Sequence, residues 1–281
     1  MKNDNDYVIK IDKSGNEVTV AQVHAVLLEM LKDLDAICKA NDIPYYLTGG
    51  SCLGAVRHNG FIPWDDDADV GMMYEDYKRF LKVVNTMDQN KYYYQCFDTH
   101  KEYNVCIPAM KLRRKNTYVK EVNSLLKNKC SDGDGLFIDV FIVDYVDERR
   151  WVDFLCRIKS LLYMVVVTFF ENIMKNPLWI KTKYWKYIRR YSAKAKKRGS
   201  QTIGYDLSWT FDKPWKPVAY KKADIYPVQY HTFEDTTLPI PKNPDALLEV
   251  EIGGVYMEYP KGKMQAPKHI ADINLKGDVA E

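Results

Sequence analysis

The amino-acid sequence predicts an α+β fold, in which helices flank a mixed sheet and a helical segment is inserted after the core. Three patterns support this prediction. Apolar residues recur at spacings of three and four over residues 20–40, as in an amphipathic helix. Residues 135–144 are apolar on both faces of a strand, except for one aspartate. Residues 151–198 are aromatic, increasingly basic and without a long strand pattern.

Composition divides the chain into three predicted parts. Residues 1–150 form the core, residues 151–200 form a basic helical subdomain, and residues 201–281 form a C-terminal segment that packs back on the core. This last part is rich in proline and turn residues, and one short helix is expected near residues 246–252.

A glycine pair separates two predicted elements of the core. A short buried strand precedes Gly49 and Gly50, and Ser51 is expected to cap a helix over residues 52–58, which ends at Asn59. The other predicted elements of the core are an extended segment at residues 61–72, a helix at 74–84, and strands at 91–97, 105–113 and 135–144.

The overall composition is that of an ordinary globular protein. The 281 residues are 46% hydrophobic and 28% charged. A formal net charge of +3 is too small to indicate nucleic acid as a partner. The six cysteines include no C-x-x-C pair, so we expect reduced thiols and neither a zinc knuckle nor a disulfide framework.

The cellular compartment is predicted from two stretches. The polar N-terminus lacks the apolar core of a signal peptide, which indicates a cytoplasmic protein. The apolar run at residues 160–170 is about half the length of a membrane-spanning helix. It therefore indicates a helix that is buried in protein or lies at an interface.

Four aspartates within five positions carry the strongest functional signal. Side chains alternate along an extended segment, so Asp65, Asp67 and Asp69 should share one face while Asp66 points away. Three converging carboxylates repel one another, and a hard cation such as Mg²⁺ or Mn²⁺ removes that repulsion. A solvated acidic turn is the alternative, but the apolar and aromatic neighbours favour the end of a strand at a cleft.

Asp139 is the one carboxylate in a strand otherwise suited to burial. A buried carboxylate needs a partner, which could be backbone amides, an arginine or a cation. Beside the acidic segment, the role of a third metal ligand is favoured. Gly49, Gly50 and Ser51 precede a helix, whose N-terminal amides are a natural site for phosphate. Phosphate on amides beside a metal on carboxylates is what phosphoryl transfer requires.

The motif "YYLTGGSCLGAVRHNGFIPWDDDADVGM" resembles the signature of the LicD family of cholinephosphotransferases, to which the fukutin-related ribitol-phosphate transferases are similar. The stretches "MKLRRKNT", "GLFIDVFIVD" and "GGVYMEYP" follow in the family's order, so the resemblance covers roughly residues 20–145 and 225–270. It implies a nucleotidyltransferase-like fold that uses Mg²⁺ to move a phosphate-linked alcohol from a CDP-activated donor to a glycan hydroxyl.

The resemblance also implies roles for individual residues. The metal ligands would be Asp67, Asp69 and Asp139, while Asp65 would be a further ligand or the base for the acceptor proton. The donor phosphates would lie on Gly49, Gly50 and Ser51, with Arg57, Lys111 and Arg113 as candidate cationic clamps. Arg114 stands where the family usually has an acidic residue. His269 stands where the family would have a histidine, but a lone histidine near a terminus is left outside the catalytic set.

Three functions compete at this stage. The first is a transferase of phosphocholine, or a related phospho-alcohol, to lipopolysaccharide, teichoic acid or a capsule precursor. The second is a nucleotidyltransferase that releases pyrophosphate, and the third is a non-catalytic protein that binds anionic glycans. The basic helices could contact anionic lipid at the inner face of the cell membrane or form a solvated face. No motif specifies the transferred group, the acceptor or the oligomeric state.

Overall fold

The structure is a computed structural model that describes residues 4–11, 15–106, 109–122, 135–208, 213–260 and 265–275. The helices in these residues are α1 (Val20–Ala40), α2 (Gly49–His58), α3 (Tyr74–Val83), α4 (Arg150–Asn172), α5 (Leu178–Lys197), α6 (Lys222–Ile225) and α7 (Pro244–Glu251). The strands are β1 (Val8–Ile11), β2 (Glu17–Thr19), β3 (Tyr46–Leu47), β4 (Asp69–Met73), β5 (Tyr92–Cys96), β6 (Met110–Arg114), β7 (Tyr118–Glu121), β8 (Phe137–Tyr145), β9 (Thr202–Tyr205), β10 (Ala219–Lys221), β11 (Gln229–Phe233), β12 (Thr236–Ile240) and β13 (Ile270–Asn274).

The central sheet is organised around β8. On one side β8 pairs in parallel with β4, which pairs antiparallel with β3. On the other side the first half of β8 pairs antiparallel with β6, and its end pairs antiparallel with β9. β5 and β10 extend these two branches. The sheet is mixed, as predicted, and with the flanking helices it confirms the α+β class.

β8 is the central strand that its sequence predicts. Eight of its nine residues are buried, because neighbouring strands cover both edges and helices α1, α3 and α5 contact it. The apolar residues of α1 that face the sheet are fully buried, including Leu27, Met30 and Leu34. This layer fixes the position of Asp139 within the sheet.

The C-terminal segment completes the core rather than covering its outside. β9 and β10 extend the central sheet, and β13 pairs antiparallel with β7. The backbone N–H of Val122 also donates to the carbonyl of His269 at 2.8 Å. The last described strand, β13, is therefore held against β7.

Helices α4 and α5 form an antiparallel pair over the predicted helical subdomain. They enclose a second, smaller apolar cluster with residues 97–106, to which Phe97, Tyr103 and Tyr184 contribute. In the described part of the chain, no helix has both the length and the apolar content needed to cross a bilayer.

Most local boundaries agree closely with the sequence, but β6 begins at Met110 because residues 105–106 form a turn instead of the predicted start of a strand, and α2 begins earlier than predicted. Helix α1 has the predicted bounds, and Asn59 ends α2 in the left-handed conformation with φ of 55°. The prediction that Ser51 caps α2 is wrong, because the helix begins at Gly49 and Thr48 is its N-cap. The backbone N–H of Cys52 donates to the carbonyl of Thr48 at 3.1 Å, so the glycine pair lies within the first turn.

Candidate active site

The acidic segment enters β4 in the alternating geometry that the sequence predicts. Asp66 is buried at 1% exposure, whereas Asp65, Asp67 and Asp69 are partly exposed. The Asp66 carboxylate accepts backbone N–H bonds from Lys268, His269 and Ile270 at 3.0, 3.1 and 2.8 Å. Asp66 therefore holds residues 268–270 of the C-terminal segment against the core. The carboxylates of Asp65, Asp67 and Asp69 are not used in this contact.

Strand register brings two of the predicted ligands together. Asp69 and Asp139 are directly paired in the parallel strands β4 and β8, so their side chains lie on the same face of the sheet. Lys111 on β6 is paired with Asp139 from the other side. Its Nζ donates to Asp139 Oδ1 at 2.6 Å, so one ammonium group partly neutralises the cluster.

The pKa values of the cluster are shifted in the direction expected for crowded, buried carboxylates. Burial raises the pKa of Asp65 and Asp69 well above the usual range, and the charge of Asp67 raises both further. Burial also raises the pKa of Asp67, and it raises that of Asp139 to about 6. The four carboxylates therefore have too little positive charge around them, and a divalent cation would supply what is missing.

His269 joins the site, although the sequence analysis left it outside the catalytic set. Its Nδ1 lies 3.2 Å from Asp67 Oδ2, and the side chain is half-exposed. Ligand atoms of Asp65, Asp66 and His269 also lie within 4.8 Å of one another. Asp66 is already committed to backbone amides, so Asp65 and His269 are the members of this group that remain free to approach a cation.

The glycine pair allows the start of α2 to approach the acids. A Cβ atom at Gly50 would overlap the Asp65 carboxylate, and one at Gly49 would lie 3.3 Å from Asp69 Oδ2. Gly49 also has φ of 54°, a conformation that favours glycine. Ser51 Oγ accepts the backbone N–H of Asp69 at 2.9 Å. The turn therefore lies directly against the acidic segment.

Glu251 is a further acid at this turn, and no pattern in the sequence indicates its role. Its carboxylate accepts the backbone N–H of Gly49 at 2.9 Å and the hydroxyl of Thr48 at 3.1 Å. Burial raises the pKa of Glu251 to about 7. Because Glu251 takes the Gly49 amide, the prediction that this amide holds a donor phosphate requires Glu251 to move aside.

The three predicted cationic clamps all contact protein groups in this structure. Besides Asp139, Lys111 contacts Glu121 at 3.1 Å, and Arg113 contacts the same glutamate at 3.0 Å. Arg57 donates to the carbonyl of Tyr256 at 2.8 Å. Lys111 lies at the acidic cluster, so it is the best placed of the three to reach a bound phosphate; the clamp roles of Arg57 and Arg113 stay predictions.

A mixed sheet, a glycine turn and carboxylates on paired parallel strands define a nucleotidyltransferase-like protein, a class built for phosphoryl transfer. Comparison with known families agrees, because residues 42–155 match the LicD/FKTN/FKRP nucleotidyltransferase domain. Residues 42–155 are thus similar to this family's domain, and they contain every site residue predicted from the sequence.

Individual relatives match over shorter parts of their length. The chain is 34% identical over 136 residues to the lipopolysaccharide cholinephosphotransferase LicD of Haemophilus influenzae, a match that covers 46% of each protein. It is 44% identical over 50 residues to the human ribitol 5-phosphate transferase FKRP, covering 18% of this chain and 10% of that protein. The chain thus spans less than half the length of these curated relatives.

Proposed function

We propose that this protein is a metal-dependent transferase that moves phosphocholine, or a related phospho-alcohol, from a CDP-activated donor to a hydroxyl of a cell-surface glycan. The acceptor would be lipopolysaccharide, teichoic acid or a capsule precursor. The observation that carries the proposal is the convergence of Asp65, Asp67, Asp69 and Asp139 with raised pKa values. The family match and the names of the two relatives support the class of reaction.

The residues of the cluster fit a hard divalent cation. Asp67, Asp69 and Asp139 would hold Mg²⁺ or Mn²⁺ through carboxylate oxygens, which are the ligands that these ions prefer. When bound, the ion would neutralise charge on the donor phosphates and on the group in transfer. Lys111, now 2.6 Å from Asp139, would then be free to turn toward a phosphate oxygen.

The reaction needs a proton acceptor, and Asp65 is the candidate. In the transfer, the acceptor hydroxyl oxygen forms a bond to the phosphorus that carries the alcohol, and the bond from that phosphorus to CMP breaks. CMP leaves with the bonding electron pair, and the hydroxyl proton passes to a carboxylate. Asp65 has a raised pKa, which brings it closer to the pH at which a carboxylate is an effective base.

The place of action follows from the same proposal. Glycan acceptors of this type that are lipid-linked would meet the enzyme at the cytoplasmic leaflet, so we place it in the cytoplasm at the inner face of the membrane. The many lysines and arginines of residues 181–198 support contact with anionic headgroups.

The proposal is tested by measuring CMP release from CDP-choline with a panel of glycan acceptors, with and without Mg²⁺. We expect metal-dependent release by the wild type and a loss of about a thousandfold or more in Asp67→Asn, because a metal ligand is removed. Asp235→Asn is the matched control, since Asp235 is an exposed acid that pairs only with Lys32 among the contacts described.

Other donors and products separate the competing functions. Release of CMP from CDP-ribitol or CDP-glycerol, but not from CDP-choline, would keep the mechanism and change the transferred group. Pyrophosphate release from CTP would instead establish a nucleotidyltransferase. If no donor is turned over, and glycan binding is the same without Mg²⁺ and in Asp67→Asn, the protein is a binding protein and the proposal is wrong.

A further inference from the structure

Helix α4 buries four polar or charged residues beside Met164 and Val167, and its exposed face is largely apolar. The residues buried against α5 and its surroundings include Asp153, Arg157, Ser160 and Glu171. Trp151 is 78% exposed, Val165 66% and Phe169 60%. A helix on the surface of a globular protein normally has the opposite arrangement. The exposed apolar residues of α4 are Trp151, Leu155, Leu162, Val165, Val166 and Phe169, here called the apolar stripe.

The buried polar contacts fix this orientation of α4. Asp153 Oδ2 lies 2.8 Å from Arg157 Nε one turn later, and Glu171 Oε1 lies 3.0 Å from Lys181 Nζ on α5. Ser160 Oγ lies 2.7 Å from the hydroxyl of Tyr184, also on α5. Rotating the helix to bury the stripe would break the buried Glu171–Lys181 pair and the Ser160–Tyr184 hydrogen bond, which is strongly unfavourable.

The apolar stripe is continuous and long. Its residues are separated by four, seven, three, one and three positions. At 3.6 residues per turn, these separations place them within about one third of the helix circumference. The 23 residues of α4 extend about 34 Å at 1.5 Å per residue. Leu178 and Trp179, 43% and 61% exposed, begin α5 shortly after α4 ends, so an exposed tryptophan stands near each end of α4.

The exposed charges on α4 and α5 all have one sign. Between residues 149 and 200 the acidic residues are Asp153 and Glu171, and both are buried in ion pairs. Every exposed charged side chain in this range is a lysine or an arginine, for example Lys159, Lys183 and Lys186. Positive charge spread along two helices is complementary to a surface with diffuse negative charge, rather than to one acidic patch.

We propose that the apolar stripe of α4 inserts into the headgroup region of an anionic lipid bilayer, with the surrounding lysines and arginines contacting lipid phosphates. An apolar face flanked by basic residues, with tryptophans at both ends, is the pattern of a helix that lies in the membrane interface. Insertion parallel to the surface agrees with the absence of a helix able to cross the bilayer among the described residues.

This inference deepens the membrane contact included in the proposed function, but it does not depend on the transfer reaction. The surface would hold the enzyme where a lipid-linked acceptor lies. Lipid binding can be measured without donor or acceptor, so either idea can fail while the other stands.

The test is cosedimentation of the full chain with vesicles of phosphatidylcholine, with and without phosphatidylglycerol. We expect binding to the anionic vesicles and at least about tenfold weaker binding by the triple variant Leu162→Gln, Val165→Gln, Phe169→Gln. The matched control is Ile11→Gln with Trp215→Gln, since these residues are 63% and 72% exposed and lie outside α4. The control variant should bind as the wild type does.

A second variant tests the charge, and a second measurement tests the stripe. Lys183→Glu with Lys186→Glu should weaken binding to anionic vesicles and lower its sensitivity to salt. Brominated lipid should quench wild-type tryptophan fluorescence more strongly than that of Trp151→Phe. The proposal is overturned if the triple variant binds as tightly as the wild type, or if no vesicle is bound. It is also overturned if the stripe instead mediates a dimer, seen as a wild-type dimer in sedimentation velocity that the triple variant converts to monomer.

Discussion

The acidic cluster and the buried face of α4 both hold carboxylates away from water, but they neutralise them differently. In α4 each acid has its own cation, since Asp153 pairs with Arg157 and Glu171 pairs with Lys181. In the cluster, Asp65, Asp67, Asp69 and Asp139 crowd together, and the ammonium of Lys111 is shared with Glu121.

The difference separates a structural use of buried charge from a functional one. One-to-one pairs fix how two helices pack, and they leave no charge for a ligand to complete. A group of acids with too few cations has raised pKa values and gains stability when a cation arrives. The comparison can be tested by removing one carboxylate from each region and measuring stability and the response to metal.

The largest expected effect on stability lies in α4. Asp153→Ala should lower the free energy of unfolding by about 3–5 kcal/mol, because it removes the carboxylate whose charge compensates the buried Arg157 guanidinium. Leu162→Gln, on the exposed side of the same helix, should change it by less than about 0.5 kcal/mol. Urea unfolding would measure the free energy of unfolding of the two variants. Equal losses of stability would contradict the burial of Asp153 and the exposure of Leu162 on α4.

A second pair of variants tests the difference between a structural and a functional carboxylate within the acidic segment. Asp66→Asn should cost about 2–3 kcal/mol, since it weakens charge-assisted bonds from three backbone amides. Asp67→Asn should instead stabilise the metal-free protein by about 1 kcal/mol, because it relieves carboxylate crowding.

Thermal unfolding with and without Mg²⁺ distinguishes these two roles. Asp66→Asn should keep whatever stabilisation Mg²⁺ gives the wild type, and Asp67→Asn should lose it. A drop in stability for Asp67→Asn in metal-free buffer would mean that Asp67, like Asp66, is structural.

The last prediction concerns Glu251, a carboxylate that accepts hydrogen bonds from an amide and a hydroxyl and that has no ion-pair partner among the described residues. Its folded-state pKa is raised from 4.5 to about 7 by burial, so the folded protein takes up the proton more readily than the unfolded chain. Stability from this group is complete below pH 4.5 and is lost as the pH rises to about 7, a change of about 1–2 kcal/mol after screening. Glu251→Gln should flatten this slope in unfolding measured across that range; an unchanged slope would assign it to other groups.

Local patterns in the sequence predicted most of the sheet and the centre of the site. The periodicity of apolar residues predicts the bounds of α1, and the two apolar faces of residues 135–144 predict the central position of β8. Alternation along an extended segment correctly separated Asp66 from its neighbours, because it depends only on backbone geometry. The convergence of Asp69 with Asp139 follows from two strands that each carry a buried acid.

The rest of the site depends on contacts that no local pattern encodes. Glu251 reaches Gly49 across 202 positions of sequence, and His269 reaches the acidic segment from the last described strand region. The start of α2 was placed too late because the glycine pair suggested a turn, whereas tertiary contacts hold it as helix. The orientation of α4 depends on its contacts with α5. The composition of α4 alone therefore agrees both with a helix buried in protein and with a helix at an interface.

The contact between Asp66 and the C-terminal segment has a consequence for how the protein folds. The Asp66 carboxylate accepts hydrogen bonds from backbone amides that lie 202 to 204 positions later in the chain. Loops this long close slowly compared with helices and hairpins. A chain emerging from the ribosome would therefore assemble α1 and the first strands well before the contact between Asp66 and residues 268–270 forms. Until residue 270 has been synthesised, residues 268–270 cannot pack against the acidic segment. We therefore expect the acidic cluster to be among the last features of the molecule to reach its final geometry, and a chain cut short before residue 265 to fold without the contacts from residues 268–270.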